Sequence, residues 1–297
     1  MKQFSTSFVV LAALFWGLSG GIGGLLISDG WDPYTVSFYR GAVGLLFVII
    51  WLALRPRDYG LTTPRLWFWS TIAGLGVAGN FAFYFVSVSE GSVAVAATLM
   101  YSAPVFVYLV SFALKLEKST PLKWMAVATV MIGIVLLTQI YDIDTGGVTL
   151  FGVIAGLLAG LSYAVFIFGF KYAAPHGSPQ AILTIVFMVL VATLIWPSDN
   201  EQVVAVLTTP DWYLFAILGV LGAGLSFIIY IIGLRFTAPA VASVVAMIEP
   251  VTASLFGVFI LSESLTGLQL LGMGIILVTV TALSVKTSSR WVASDAN

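Results

Sequence analysis

The sequence predicts an all-α integral membrane protein of ten transmembrane helices, arranged as two inverted-topology five-helix repeats. Three observations carry that expectation. Sixty per cent of the 297 residues are apolar and only 8 % are charged, against about 25 % charged in soluble domains. The apolar residues gather into ten stretches with short polar separators. The second half of the chain then matches the first at a nearly constant offset.

The stretches cover 5–28, 33–54, 66–89, 91–115, 121–140, 149–170, 179–196, 211–235, 238–261 and 266–286. Most reach the roughly 20 residues that a spanning helix needs, and the seventh is the shortest. Pro, Gly and charge separate them, as in Asp29-Gly-Trp-Asp-Pro33, Arg55-Pro-Arg-Asp58 and Trp196-Pro-Ser-Asp199. The first run is too long for a signal-peptide core and lacks a convincing cleavage site, so a retained helix is expected. Ten spans place Lys2, Arg55, Arg57, Arg65, Lys115, Lys118, Lys123, Lys171, Arg235, Lys286 and Arg290 on one side. The opposite loops carry Asp29, Asp32, Glu90, Asp142, Asp144, Asp199, Glu201, Asp211 and Glu263. Nine or eleven spans would scramble this sorting. The positive-inside rule then puts both termini in the cytoplasm, and the membrane expected is the plasma membrane, the inner membrane of a bacterium. Eight of the nine Trp fall at expected interfaces or in the tail, as an aromatic belt does, and Trp16 alone sits mid-span.

The repeat is read at an offset of 146 residues. Thr62-Thr63-Pro64 recurs as Thr208-Thr209-Pro210, Leu75-Gly76 as Leu221-Gly222, Phe81 and Tyr84 as Phe227 and Tyr230. Pro104-Val105 recurs as Pro250-Val251 and Glu117 as Glu263. Gly17-Leu18-Ser19 recurs as Gly160-Leu161-Ser162 at an offset of 143. The units are residues 1–146, residues 147–290 and a cytoplasmic tail, 291–297. Five spans is an odd number, so the second unit enters the membrane inverted. Inverted repeats characterise many secondary transporters, with substrate held near the midplane.

Composition excludes several classes. Net charge is −1 without a basic tract, so no nucleic-acid partner is expected. With no Cys, and with His176 the only His, neither thiolate chemistry nor a His cluster for metal is available. No Walker-type loop occurs. No cofactor, metal or catalytic residue is therefore expected, and the expected partners are a small-molecule substrate and the lipid bilayer. A polytopic protease of the rhomboid kind wants a Ser–His pair, and His176 falls in a loop on the basic side. A channel is the remaining class without substrate chemistry.

Small residues in Ala240-Val-Ala-Ser243, the mid-helix Pro of Ile248-Glu-Pro-Val251, and Leu261-Ser-Glu-Ser-Leu-Thr266 with Gly272 resemble the EamA-type family of the drug/metabolite transporter superfamily. The resemblance covers essentially the whole chain. It implies ten helices and export of small metabolites. Phe38-Tyr39-Arg40 and Tyr101-Ser-Ala-Pro104 look most like the YddG-type amino-acid exporters. That implies amino acids, aromatic ones included, as substrates. A multidrug or other metabolite exporter of the same fold is the alternative.

Two full charges fall well inside spans, Arg40 and Glu249. A charge near the bilayer centre costs about 2.5–3.5 kcal/mol on insertion scales, so function is the default expectation. Their repeat counterparts are Val186 and Ala103, so each breaks the repeat's symmetry. Three readings stand: a structural ion pair, a substrate site with Arg40 on a carboxylate and Glu249 on an ammonium, and Glu249 as a proton-coupling group. Trp16, Tyr39, Asn80, Tyr84, Tyr101, Tyr163 and Tyr230 join them as candidate cavity residues. Asn80, Tyr84 and Ser87 share one helix face, and Thr98, Tyr101, Val105 and Tyr108 another. Interhelical hydrogen bonding is the plain alternative for any one of these. Gly17/Gly21, Gly20/Gly24 and Gly152/Gly156/Gly160 read as small-residue packing faces. A monomer is expected, since the repeat supplies within one chain the two halves that a smaller relative would take from two.

Overall fold

The computed structural model describes residues 5–54, 60–90, 93–116, 119–142, 149–260 and 265–294. Among these every regular element is helical: α1 (Ser5–Ser28), α2 (Pro33–Leu54), α3 (Pro64–Ser89), α4 (Val93–Met100), α5 (Ala103–Ala113), α6 (Pro121–Thr138), α7 (Leu150–Ala173), α8 (Pro179–Leu194), α9 (Asn200–Ala205), α10 (Trp212–Gly219), α11 (Ser226–Leu234), α12 (Pro239–Val245), α13 (Ile248–Ile260) and α14 (Gly267–Ser294). A π-helical segment, Val220–Leu225, joins α10 to α11, and a one-turn 3₁₀ helix, Ile140–Asp142, follows α6. Among the described residues, eight helical segments are long and apolar enough to cross a membrane. Two shorter apolar helices, Pro179–Leu194 and Gly267–Ala282, stand where the seventh and tenth spans are expected.

The punctuation in the sequence sets the helix starts. Pro33, Pro64, Pro121, Pro179 and Pro239 each open a helix, where a missing N–H costs no intrahelical bond. The side chains of Thr120, Thr149 and Ser178 cap α6, α7 and α8 by accepting from Lys123 N, Gly152 N and Ala181 N. The expected fourth and ninth spans are each broken in the middle, between α4 and α5 and between α12 and α13. Proline is the cause. Pro250 cannot donate to the Ala246 carbonyl, and the Glu249 N–H takes that carbonyl instead at 2.9 Å. Before Pro104, the Ser102 N–H and hydroxyl both turn to the Leu99 carbonyl.

Glycine lets these breaks be approached closely. A Cβ on Gly17 of α1 would stand 2.6 Å from the Glu249 carbonyl oxygen and 2.5 Å from Thr252 Cβ. A Cβ on Gly160 of α7 would stand 3.1 Å from Met100 O and 3.2 Å from Leu99 O. Thus α1 packs on α13 and α11, while α7 packs on α4, α5 and α3. α6 packs on α14, where Gly133 and Gly272 face each other's carbonyls. Gly20 and Gly24 depart from the expected packing role: nothing lies within 4 Å of a Cβ on either.

The bundle has an acidic and a basic end. At the acidic end, Asp32 N donates to Gln202 Oε1 and Thr149 Oγ1 donates to Glu90 Oε2. At the basic end, Lys171 Nζ donates to the Leu234, Arg235 and Thr237 carbonyls. Arg235 donates there to Ala174 O and Gly177 O. Burial against those helix ends lowers the Arg235 guanidinium below its usual range. Trp67, Trp124, Trp196 and Trp212 are exposed near the ends as a belt requires, while Trp31 packs edge-on against Phe215 and Trp69 stacks on Tyr172. The Trp291 side chain and the expected loop charges at Arg55, Arg57, Lys118, Asp144 and Glu263 lie outside the described residues.

Candidate functional site

Arg40 is carried by α2 and Glu249 by the first turn of α13, at the break before Pro250. The Arg40 guanidinium does not bond Glu249. Its Nε and one terminal nitrogen donate to the Gly222 carbonyl at 3.2 and 2.9 Å, and it lies 5.4 Å from the Phe81 ring centroid, within cation–π range. Gly222 belongs to the π-helical segment. A π turn displaces its carbonyls from the regular α ladder, and such segments recur at functional sites. Only glycine fits at 222, since a Cβ would stand 2.5 Å from Ser19 and 2.9 Å from Arg40 Nε. Arg40 is thus oriented by backbone and makes no direct contact with the carboxylate, and its remaining N–H groups have no partner among the described residues.

Neither Glu249 carboxylate oxygen accepts a hydrogen bond among the described residues, though the carboxylate lies in the electrostatic field of Arg40, Tyr84, Tyr101 and Tyr163. Arg40, Tyr84 and Glu249 remain half-buried although each sits within a spanning helix and turns toward other helices. Close-packed cores leave no such surface. The geometry of two helix faces locates the gap. On α1, Val9, Ala13 and Trp16 are buried, yet Gly20, Gly24 and Ile27, next along the same face, are exposed. On α3, Leu66, Ser70, Ala73 and Val77 are buried, and Phe81 and Tyr84 above them are only half-buried. A cleft therefore opens toward the acidic end and stops at the level of Arg40 and Glu249.

Aromatic rings form its floor. Trp16 lies 4.9 Å from Phe227 and 4.8 Å from Tyr230, centroid to centroid. Phe166 and Phe170 of α7 close on the same group. Tyr101 and Tyr163 are buried beside the charges. Every residue of α12, below the floor, is buried.

Two candidates sit elsewhere. Tyr39, adjacent to Arg40, is turned about 100° away around the helix; its hydroxyl donates to Val203 O at 2.6 Å and its ring packs on Phe215. Asn80 is buried, and its amide donates to Ala159 O on α7 at 3.0 Å. The face expected to run from Thr98 to Tyr108 is cut by the break. Thr98 pairs with Thr138, and Tyr108 bonds Ser119 and the Thr120 N–H. Gly222 and Phe81 are site residues that the sequence reading passed over. An offset of 146 residues aligns Gly222 with Gly76, and nothing in either residue type signals a π turn.

The sequence profile of the EamA-like transporter family matches residues 3–139 and again residues 150–285. The chain belongs to the EamA-like transporter family. It is a multi-pass membrane protein, and that family lies within the drug/metabolite transporter superfamily. An uncharacterized transporter of Archaeoglobus fulgidus is 30 % identical over 94 % of this chain and 95 % of its own. The uncharacterized transporter YwfM of Bacillus subtilis is 24 % identical over 98 % and 97 %. A solved crystal structure superposes with a TM-score of 0.75 at 18 % identity, over 97 % of this chain and 98 % of that one. It shares the fold.

Proposed function

We propose that this EamA-like transporter is a secondary exporter of small zwitterionic metabolites, amino acids including aromatic ones. Arg40 takes the substrate carboxylate and Glu249 its ammonium. The observation that carries this reading is the pair of opposite, half-buried charges at the foot of the cleft, near one another yet not bonded. Arg40 is held on the Gly222 carbonyl with part of its donor fork free, the arrangement that suits a carboxylate. Trp16, Tyr101 and Tyr163 offer aromatic surface to the substrate's side chain and cation–π contact to its ammonium.

Transport proceeds by alternating access. The ten helical spans form two inverted five-helix repeats, residues 1–146 and 147–290. The double match of the family profile and the matched breaks at Pro104 and Pro250 support that division. So does the exchange of contacts between Gly17 and the α12–α13 break and between Gly160 and the α4–α5 break. The basic end, with both termini, faces the cytoplasm of a bacterial inner membrane, and one chain suffices for transport. The cleft then faces outward, with the cytoplasmic half shut by the Trp16–Tyr230 plug.

Purified protein in liposomes, given a panel of labelled amino acids, tests the reading. Saturable uptake or exchange of some of them is expected. A panel that shows no saturable movement overturns the amino-acid assignment.

A further inference from the structure

A regular α-helix gives each carbonyl to the N–H four residues later. In the π-helical segment Val220–Leu225 that ladder slips by one. The Ser226 N–H donates to Leu221 O, five residues back, and passes over Gly222 O, four back. The Gly222 oxygen is not left orphaned, because Arg40 Nε and a terminal nitrogen both donate to it, at 3.2 and 2.9 Å. A carbonyl oxygen has two lone pairs, so Arg40 fills it and shuts the Ser226 N–H out. The π turn and the Arg40 anchor are therefore one structure. Two donors compete for one carbonyl, and the charged one holds it, since a charge-assisted hydrogen bond is about twice as strong as a neutral one. On the acidic side of the slip, α10 is gripped by its neighbours. A Cβ on Gly219 would run into Val43 and stand 3.3 Å from Arg40 O, and Phe215 packs on Trp31 and Tyr39. On the basic side, α11 begins at once with rings of the floor. Phe227 and Tyr230 follow Ser226 by one and four residues, and pack on Trp16 at 4.9 and 4.8 Å. The slip thus sets the rotation at which α11 presents these rings.

We propose that Gly222 and Ser226 are positioning residues that couple Arg40 to the aromatic floor. The Gly222 carbonyl passes from Arg40 to the Ser226 N–H, the π turn closes into α-helix, and α11 turns its rings away from Trp16. Closing the ladder rotates α11 against α10 by one residue, about 100° and about 1.5 Å along the axis. Because α10 is held by α2, the rotation falls on α11 and draws Phe227 and Tyr230 out of the plug. The Ser226 hydroxyl, which has no protein partner, takes no part; the backbone N–H does. Resting on the substrate reading above, the group that draws Arg40 off Gly222 is the substrate carboxylate, since a charged acceptor outcompetes a neutral carbonyl for the guanidinium. An empty cleft then keeps its floor shut, and an occupied one releases it.

Fluorine NMR of full-length protein grown on fluorotryptophan and held in nanodiscs without substrate tests the exchange. The chain has nine Trp, and the signal lost in Trp16→Phe assigns Trp16. In Arg40→Met the carbonyl goes to Ser226, so the Trp16 signal should move by more than its linewidth as two rings leave it. Ser226→Pro has no N–H to take the carbonyl, and in a closed turn its ring would collide with that same carbonyl. Arg40→Met with Ser226→Pro should therefore return the signal to its wild-type position. Arg40→Met with Ser226→Ala, which retains the N–H, should move it as Arg40→Met does. Monodispersity and melting temperature report folding, and Arg40→Gln replaces Arg40→Met if that variant does not fold. In liposomes, Ser226→Pro alone should slow transport by about tenfold, one hydrogen bond's worth. An unmoved Trp16 signal in Arg40→Met overturns the exchange. So does an equal shift with and without the Ser226 N–H, or transport at the wild-type rate by Ser226→Pro. If Arg40→Met moves the signal and no amino acid moves it in the unsubstituted protein, the exchange stands and the carboxylate reading fails.

Discussion

Val9, Ala13 and Trp16 on one face of α1 are no more than 3 % exposed, whereas Gly20, Gly24 and Ile27, continuing that face toward the acidic end, stand open. The residues 143 places further on make the contrast instructive. Gly20, Gly24 and Ile27 correspond to Tyr163, Ile167 and Phe170 of α7, all buried in the basic half. The two helices share a register, but one presents glycine where the other presents rings. Packing of that half follows from side-chain volume: rings from α1, α7 and α11 meet and exclude solvent there. In the acidic half, glycines and two charges leave a cleft. Alternating access requires such an imbalance to be small enough to reverse, since a transporter's two states differ by only a few kcal/mol.

The largest expected effect breaks the cleft at its charged foot. Arg40→Met should reduce transport by about a hundredfold, the loss of charge-assisted hydrogen bonds to a carboxylate. Because Arg40 bonds Gly222 and not Glu249, the double change Arg40→Met with Glu249→Leu should be as inactive as either single change. Recovery of transport in the double variant, measured in liposomes, would restore the ion-pair reading, in which only an unmatched charge is harmful.

The next effect sharpens the contrast between open and packed glycines. Gly20→Tyr, which borrows the residue found 143 places on, should fill the cleft and lower transport by about tenfold or more. Melting temperature should hold, since nothing lies within 4 Å of a Cβ at 20. Gly17→Ala should do the reverse. Its methyl group meets the Glu249 carbonyl and Thr252, an overpacking that costs about 1–3 kcal/mol. A melting temperature lower by several degrees is expected. Equal melting temperatures for the two variants would show that the packing difference has no energetic weight.

These positions also mark what could be read from the sequence. The proline punctuation and the apolar runs placed the helices within a few residues, because hydrophobic length and proline act locally. Arg40 and Glu249 stood out by charge alone. The roles of Tyr39 and Asn80 were not legible. Neighbouring residues on a helix point about 100° apart, and only the rotation of α2 and α3 against their neighbours decides which one meets the cleft. Gly17 and Gly20 were equally opaque, since composition cannot distinguish a glycine that packs from one that leaves a space. The Gly222 anchor depends on a π turn, which no residue type in 220–225 announces.

The smallest effect concerns Tyr84 and Tyr230, which stand 146 residues apart in the sequence, one toward the acidic end and the other toward the basic end. Tyr84 is half-buried in the open half, while Tyr230 is fully buried against Trp16 in the sealed half. If each closes its own end in turn, removing one ring should bias the balance toward opening there. The Trp16–Tyr230 contact is an aromatic pair, worth about 0.5–1.5 kcal/mol. Its loss in Tyr230→Ala should therefore favour the state open at the basic end by about two- to tenfold. A cysteine in place of Tyr101, beside the charges, reports the balance, since the chain has no other thiol. With Tyr230→Ala, its reaction with a membrane-impermeant reagent added at the acidic face should slow. With Tyr84→Ala it should quicken by a comparable factor, because the acidic end then closes less firmly. Shifts in the same direction, or none, would mean that the two rings merely pack. The open and sealed halves would then be fixed features of the bundle, not alternating states of one.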